Sequence, residues 1–497
     1  MLQIYIALIL LAIYLYFRWH SSFFARQGIV GLRGFPIVGN MWKFVSMKKH
    51  FGEVYDEIYR SHPTANYVGF FKMGNPAVIV RNLDIVKNIL VGDFSTFNAN
   101  DFIVDPKIDP LVINNVFVAT GDRWKLIRNQ ISPLFTYPRV KACFPIIETV
   151  RQSLVQYIQT NKSLEIEVKD LGERFTTDVV ASCAFGVEGE AFTNPNSDFK
   201  RLASSIFAPS NANMLRSMIL LFWPKLTSVL GVAFLTKEVD TWIRSIINQI
   251  MKRRETTGET RQDFLQAFIE MKKKDTRNIM DENLIVGQSL TFVTDGIETS
   301  STVICFALYE LARNPNIMKQ AQNEVDGIYE RLGGKMTEEG IMEMEYLERI
   351  LFETLRMHSA VFALVKIALK DYTFPPQFPD SKKQLTIPKG TSIIIPVNAI
   401  HYDPTHFPDP HTFDPSRFTE DAKKERHKYS YLGFGEGPRI CLGQKFGVFQ
   451  VKAALSAILR NYNVRLSSKT IIPPPVSPKS FLLACEEGIW IKFDKRN

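Results

Sequence analysis

Cysteine is scarce in this chain, and no two cysteines are close together. Cys143, Cys183, Cys305, Cys441 and Cys485 are the five, spread over 497 residues. An odd number at wide spacing, with no Cys-x-x-Cys pair, gives no disulfide framework and fits a reducing compartment. No internal repeat and no low-complexity stretch interrupts the sequence. No Gly-x-Gly-x-x-Gly follows a strand-like run, so the chain carries no dinucleotide-binding unit of its own. The net charge is +9, but no basic stripe is interleaved with stacking aromatics. That argues against a nucleic-acid partner. The N-terminus also lacks the charged start and the small-x-small site of a cleaved signal peptide.

What is present supports a large core. Hydrophobic residues make up 45% of the chain and charged residues 22%. Length alone suggests about three domains. Ile4 to Phe17 is apolar apart from tyrosines, and Arg18, Trp19, Arg26 and Arg33 follow. The run is shorter than the ~20 residues a full span prefers, but Trp19 and His20 suit a membrane interface. Residues 1–20 are therefore predicted to be a signal anchor with the bulk of the protein in the cytoplasm. Residues 21–40, rich in Gly and ending near Pro36, read as a hinge linker, and 41–497 as the main domain. A second apolar stretch runs from Met214 to Leu235. Pro224 and Gly231 keep it from being one straight helix.

The most informative segment is Phe434-Gly435-Glu436-Gly437-Pro438-Arg439-Ile440-Cys441-Leu442-Gly443. A single thiolate in a tight loop is how a chain offers one negative sulfur to an iron. Gly435 and Gly437 permit the dihedrals of a sharp loop. Loop amides can point at the sulfur and preserve its charge. Gly443 lets the following helix, Gln444 to Arg460, pass close to a flat ligand. Arg439 offers a cation to a carboxylate.

This FGxGxRxCxG run resembles the haem-binding loop of the cytochrome P450 superfamily, and other motifs follow in the matching order over nearly the whole chain. The resemblance implies one large, mainly α fold with small β-sheets and haem b between two long helices, the I and L helices of the family. Cys441 would be the axial ligand.

Asp281 to Ala312 reads as one long helix ending at Asn314-Pro315. Inside it, Thr294-Asp295-Gly296-Ile297-Glu298-Thr299-Ser300 sets a glycine, two acids and several hydroxyls in a buried helix, which conflicts with local propensity. It resembles the family's Ala-Gly-x-Glu/Asp-Thr motif. By resemblance, Gly296 opens the helix for dioxygen and water, Thr299 hydrogen-bonds the oxygen and Glu298 relays protons. Asp295 departs from the pattern, which has a small residue there. The fatty-acid ω-hydroxylase branch has Glu at that point, able to esterify a haem methyl. Asp295 is predicted either to form such a bond or to contact a polar substrate group.

Glu353 and Arg356 are three apart on one helical face, resembling the family's ExxR pair. Arg417, in Asp414-Pro415-Ser416-Arg417-Phe418, is implied to join them in a structural network, although Ser416 replaces the usual Glu. Met357-His358-Ser359-Ala360 follows Arg356, where prolines are common. Trp124 and Arg128 resemble the WxxxR pair that reaches a haem propionate, and Lys366 stands where relatives often place another cation. Ser132 to Thr136 strengthens the likeness to insect microsomal members that oxidise plant toxins and insecticides.

The resemblance implies a haem-thiolate monooxygenase of the endoplasmic reticulum membrane, hydroxylating or epoxidising lipophilic small molecules, xenobiotics first. Fatty-acid or hormone oxidation is the alternative, and a reductase-independent isomerase a more distant one. The chain is too short for a fused flavin domain. Electrons are therefore expected from NADPH–cytochrome P450 reductase, with cytochrome b5 a further partner. Arg123, Lys125, Lys423, Lys424, Arg426, Lys428 and Lys445 are the basic docking candidates. Substrate walls are expected from Phe102 to Val118, Phe207, Phe292, Val361 to Leu364 and Phe481 to Leu483.

Overall fold

Helices dominate, and the runs that are apolar on every side lie at the centre. The computed structural model describes residues 2–161, 163, 165–275 and 279–496. In chain order the elements that position the site are these. Helix α1 is Leu2–Ser21 and α2 is Phe51–Arg60; strands β1 (Tyr67–Lys72), β2 (Asn75–Val80) and β3 (Ala99–Asn100) follow. Next come α3 (Gly121–Ile131), α4 (Val168–Phe185) and α5 (Asn211–Phe222), then α6 (Glu282–Gly296), α7 (Glu298–Arg313) and α8 (Glu345–Met357). Strands β4 (Ala363–Ile367) and β5 (Ser392–Pro396) precede α9 (Gln444–Asn461).

The main sheet has the order β1-β2-β5-β4-β3. Its β1–β2 hairpin turns on Met73 and Gly74, both at positive φ, as a two-residue turn of this twist requires. β2 and β5 run parallel, with Ile79 opposite Ile394. β4 pairs antiparallel with β5 and, at Lys366 opposite Asn100, with β3. A second sheet joins Glu165–Glu167, Trp490–Lys495 and Tyr462–Leu466. The expected class, mainly α with small sheets, is what is found.

α7 and α9 form the buried spine; α9 is buried from Phe449 to Leu459. α4 crosses α7 closely because Gly172 has no side chain. A Cβ there would lie 2.9 Å from the Ser301 carbonyl oxygen.

The expected single helix from Asp281 to Ala312 is two. Asp281 caps α6 by accepting from Leu284 N–H at 2.7 Å, and the helix breaks at Ile297 before α7 begins. Side chains take the carbonyls at the break. Thr299 Oγ1 donates to Asp295 O at 2.6 Å, Thr176 Oγ1 to Ile297 O at 3.2 Å and Gln450 Nε2 to Gly296 O at 3.4 Å. Hydroxyls competing with the ladder are what keeps such a break open.

The N-terminal run does form α1, and Ile4, Leu8, Leu11, Leu15 and Trp19 are exposed on it. Among the described residues, however, no helix is long and apolar enough to cross a membrane. Interleaved tyrosines and the closing Arg18 and His20 dilute the apolar run. Met1 and Asn497, at the ends of the predicted first and last segments, lie outside the described residues. The segment read as a hinge is docked on the sheet: Phe24 is buried 5.5 Å from the Phe71 ring, and Leu32 N–H donates to Gly69 O at 2.9 Å. The second apolar stretch splits into α5 and a short helix, Pro224–Leu230, whose Leu226, Val229 and Leu230 are exposed.

Candidate active site

The Cys441 loop folds on its own backbone. Gly435 and Gly437 have φ of 71° and 76°, and Cys441 N–H donates to Phe434 O at 2.9 Å. A Cβ on Gly437 would strike the Leu90 carbonyl, so that glycine is required twice over. The Phe434 ring lies 6.2 Å from Phe352, and Gly443 caps α9. Cys441 lies deep in the protein, yet its side chain has accessible surface. Asp295, on α6, is close enough to act on the sulfur's charge. Burial pushes the thiol up to about 11, Asp295 adds to the rise, and the Gly443 N–H and Arg128 oppose it. The sulfur becomes a thiolate at neutral pH by bonding to a cation.

Cations converge beside the loop. Arg128 Nη2 donates to Ile440 O at 2.9 Å. Arg439 donates to the carbonyls of Asn98, Val116 and Ala119 and stacks 4.6 Å from the centre of buried Trp124. Lys366 Nζ donates to Asn100 Oδ1 at 2.7 Å. Among the described residues none of the three has a carboxylate partner. Burial, then Arg128, lowers Arg439 to about 10; burial, then Arg439, lowers Lys366 to about 7. A dianionic ligand relieves such mutual repulsion.

These features fit haem. Among the described residues no three metal-ligating side chains come together, so Cys441 would hold an iron that a prosthetic group carries. The Gly435 and Gly443 faces are open, with Leu364 and Phe135 nearly 4 Å from where a Cβ would stand (3.9 and 3.8 Å). The unpaired cations suit two propionates.

On the opposite side, Glu298 turns away from the break toward α4. Its Oε1 lies 2.8 Å from Lys169 Nζ, and Lys169 also reaches Glu173 at 3.3 Å. Burial works against the Lys169 ammonium, but Glu298 and Glu173 outweigh it and raise it. Burial raises Glu298, and Lys169 opposes that. Thr299 donates inward to Asp295 O, leaving its hydroxyl oxygen free to accept. Asp295 has accessible surface deep in the fold; its Oδ1 accepts from Thr294 Oγ1 at 2.7 Å and Asn115 Nδ2 at 3.4 Å. Burial raises its carboxyl to about 6, against those two donors.

Behind the loop, Glu353 and Arg356 form a fully buried two-pronged pair at 2.7 and 2.8 Å, and Arg417 stands 3.6 Å from Glu353. Ser416 takes no part in this pair. Arg356 also holds His401 O at 2.9 Å, and the His401 ring bridges Arg356 O (3.0 Å) to Leu432 N–H (2.9 Å). The network thus ends on the first residues of the cysteine loop. His358, where prolines were expected, meets Glu310 at 2.7 Å and stacks on Phe306 at 4.3 Å.

Phe102, Phe117, Val361, Phe362 and Phe481 line one cavity, as the sequence suggested. Phe51 and Phe222 add to it, with a buried Lys72–Asp101 pair at 2.5 Å in its wall. Phe207 stacks 6.5 Å from Phe481. Phe292 does not join them: it packs 4.5 Å from Phe264 and 5.5 Å from Phe135, filling a gap between helices.

Of the basic candidates, Arg426 is half-buried against aromatic rings, whereas Arg123 is exposed and hydrogen-bonded to a buried asparagine. Arg426 stacks on Phe407, Phe418 and Tyr431, and Arg123 bonds Asn114 Oδ1. Lys125, Lys424, Lys428 and Lys445 are exposed, and Lys423 is half-buried beside Glu420.

Sequence reasoning missed Lys169 and His401 as parts of the site, and it did not single out Asn115 within the expected wall segment Phe102 to Val118. Each acts on a residue distant in sequence, and no local spacing marks it.

Fold and site together fit a helical haem protein, with Cys441 as the candidate ligand. The chain belongs to the cytochrome P450 family, whose family model, "Cytochrome P450", matches residues 30–491. It is 35% identical over 489 residues to cytochrome P450 6j1 of Blattella germanica, covering 98% of this chain and 96% of that one. It is 33% identical over 485 residues to probable cytochrome P450 6a13 of Drosophila melanogaster, covering 97% of each. Probable cytochrome P450 308a1 of Drosophila melanogaster is 34% identical, over all of this chain and 99% of its own. The family binds haem b, and the chain is a monooxygenase most like insect members.

Proposed function

We propose that this monooxygenase takes reductase-supplied electrons from NADPH and hydroxylates or epoxidises lipophilic xenobiotics such as plant toxins or insecticides. The observation that carries the reading is the Cys441 thiol, which keeps accessible surface deep in a fold that also holds a cavity walled by phenyl rings. Such walls select by apolar area and shape rather than by many polar contacts. Haem, when bound, supplies the oxygen chemistry, and a thiolate ligand favours O–O cleavage.

The chain's own residues then have separate tasks. Cys441 holds the iron, and Trp124, Arg128, Lys366 and Arg439 hold the propionate edge. Phe434, Gly435 and Gly443 shape the contact with the porphyrin face. Gly296 and the Ile297 break give room at the oxygen side, where Thr299 positions a water or oxygen by hydrogen bonding. Glu298, fixed by Lys169, keeps a proton-exchanging group at the margin. Glu353, Arg356 and Arg417 fix the loop from behind.

Exposed apolar side chains on α1 and on Leu226, Val229 and Leu230 support attachment to the endoplasmic reticulum membrane, from which a lipophilic substrate arrives. Lys125, Lys424 and Lys445 offer positive charge to an acidic reductase face. Cytochrome b5 is a further candidate partner for the same face.

The test is product analysis after reconstitution with the reductase, with and without NADPH. The substrates are furanocoumarins, terpenes, insecticides, fatty acids and steroids. NADPH-dependent hydroxylated or epoxidised toxins and insecticides are expected. Products from fatty acids or steroids alone would move the substrate class. Turnover of lipid peroxides without NADPH, and none with it, would overturn the reading.

A further inference from the structure

Some acids enclosed in this fold have a cation, and others, such as Asp109 and Asp178, accept backbone N–H groups instead; among the described residues Asp295 has neither. Glu298 has Lys169, Glu353 has Arg356, Asp263 has Arg254 and Asp101 has Lys72. Asp295 has no ion pair among the described residues. Its two donors, Thr294 and Asn115, are neutral, and both end on Oδ1. Oδ2 receives no hydrogen bond from any described group. A carboxylate deep in the fold with no cation beside it, but with accessible surface, is open to a cationic ligand.

Asn115 sets the direction of that carboxylate. Its amide Nδ2 contacts Asp295 Oδ1 and Thr294 Oγ1, each at 3.4 Å, while its Oδ1 accepts Phe117 N–H at 2.7 Å. Phe117 in turn lies 6.1 Å from Phe102, in the aromatic wall. One buried amide thus ties α6 to the loop that lines the cavity and leaves the second carboxylate oxygen without a partner.

We propose that Asp295 anchors a cationic nitrogen, that the preferred substrates are lipophilic bases, and that Asn115 is the positioning residue for the carboxylate. The ammonium of the ligand supplies the counter-charge the protein withholds, and the phenyl wall takes the apolar remainder. The inference rests on the haem-thiolate reading and narrows its substrate class.

The experiment measures binding, not turnover. Haem-loaded protein is titrated in mildly alkaline buffer with an alkyltrimethylammonium ion and with its uncharged isostere, in which a tert-butyl group replaces the charged head. A quaternary nitrogen cannot ligate iron, so the spin-state difference spectrum reports occupancy of the cavity alone. The ammonium probe is expected to bind about tenfold tighter than the isostere. Asp295→Asn should abolish that preference and leave the isostere's affinity unchanged. Asn115→Ala should reduce the preference, and it decides the matter where Asp295→Asn does not load haem.

Equal affinity in the wild type, no spectral response to the ammonium probe, or a preference that survives these substitutions would overturn the proposal. So would haem that resists acid-solvent extraction, since the carboxylate would then be bonded to porphyrin. The reduced carbonyl spectrum of the same samples reports thiolate ligation. Its loss in the wild type defeats the haem-thiolate reading; its presence without a charge preference defeats the anchor alone.

Discussion

Lys169 Nζ lies 2.8 Å from Glu298 Oε1, where the start of α4 meets the start of α7. Lys169 also donates to Ser301 Oγ at 2.7 Å, so one ammonium fixes both the acid and the helix turn that follows it. The acid of the family's motif is therefore held in place rather than free to swing.

Removing only the cation leaves a buried carboxylate without compensation. Lys169→Met should destabilise the haem-loaded protein by about 3 kcal/mol in urea unfolding. Lys169→Met with Glu298→Gln should recover most of that loss, because both charges are then gone. An additive double variant would mean that the two side chains do not act as a pair.

Two glycines of the same motif should respond differently. Gly435 and Gly437 both have positive φ, but only Gly437 presses on a backbone oxygen, that of Leu90. Gly435→Ala meets nothing nearer than Leu364 at 3.9 Å, so it should cost about 1 kcal/mol from φ alone. Gly437→Ala must displace Leu90 and should lower haem content as well. Haem per protein, read from absorbance, checks the ranking.

The contrast shows what the sequence could carry. A run that fixes six positions around Cys441 revealed the loop, and Gly296 with Asn314-Pro315 foretold where the central helix would open and stop. Glu353 and Arg356 were legible because residues three apart on a helix share a face. Lys169, Asn115 and His401 were not. Each meets its partner through the tertiary crossing of separate elements, and a lone Lys, Asn or His carries no spacing signal. Phe292 misled because an apolar side chain next to a functional turn fits packing as well as a pocket wall.

His401 makes a pH prediction. Burial, then Arg356, lowers its imidazole to about 3, and the ring must be neutral at Nε2 to accept from Leu432. The folded value lies below the ordinary 6.5, so its contribution is complete above 6.5 and is lost as pH falls toward about 3. Across that window the wild type should lose about 1.4 kcal/mol per pH unit more than His401→Asn. His50, also lowered to about 3, contributes equally to both proteins and cancels. Unfolding free energies at several pH values, with equal slopes for the two proteins, would refute the assignment.

The cation cluster makes the last prediction. Arg128, Lys366 and Arg439 stand near one another with no carboxylate partner among the described residues, and the two arginines are each held by backbone carbonyls. If propionates supply the missing negative charge, each cation slows haem release. Lys366→Met should speed haem transfer to an apomyoglobin acceptor about tenfold, the loss of one charge-assisted hydrogen bond. Arg128→Met should do the same or more, since it also frees Ile440 O beside the thiolate ligand. Lys366→Arg should stay close to the wild type, because the charge persists and Asn100 remains within reach as acceptor. Release rates unchanged in both methionine variants would place the propionates elsewhere and leave the repulsion among these cations without a purpose in haem binding.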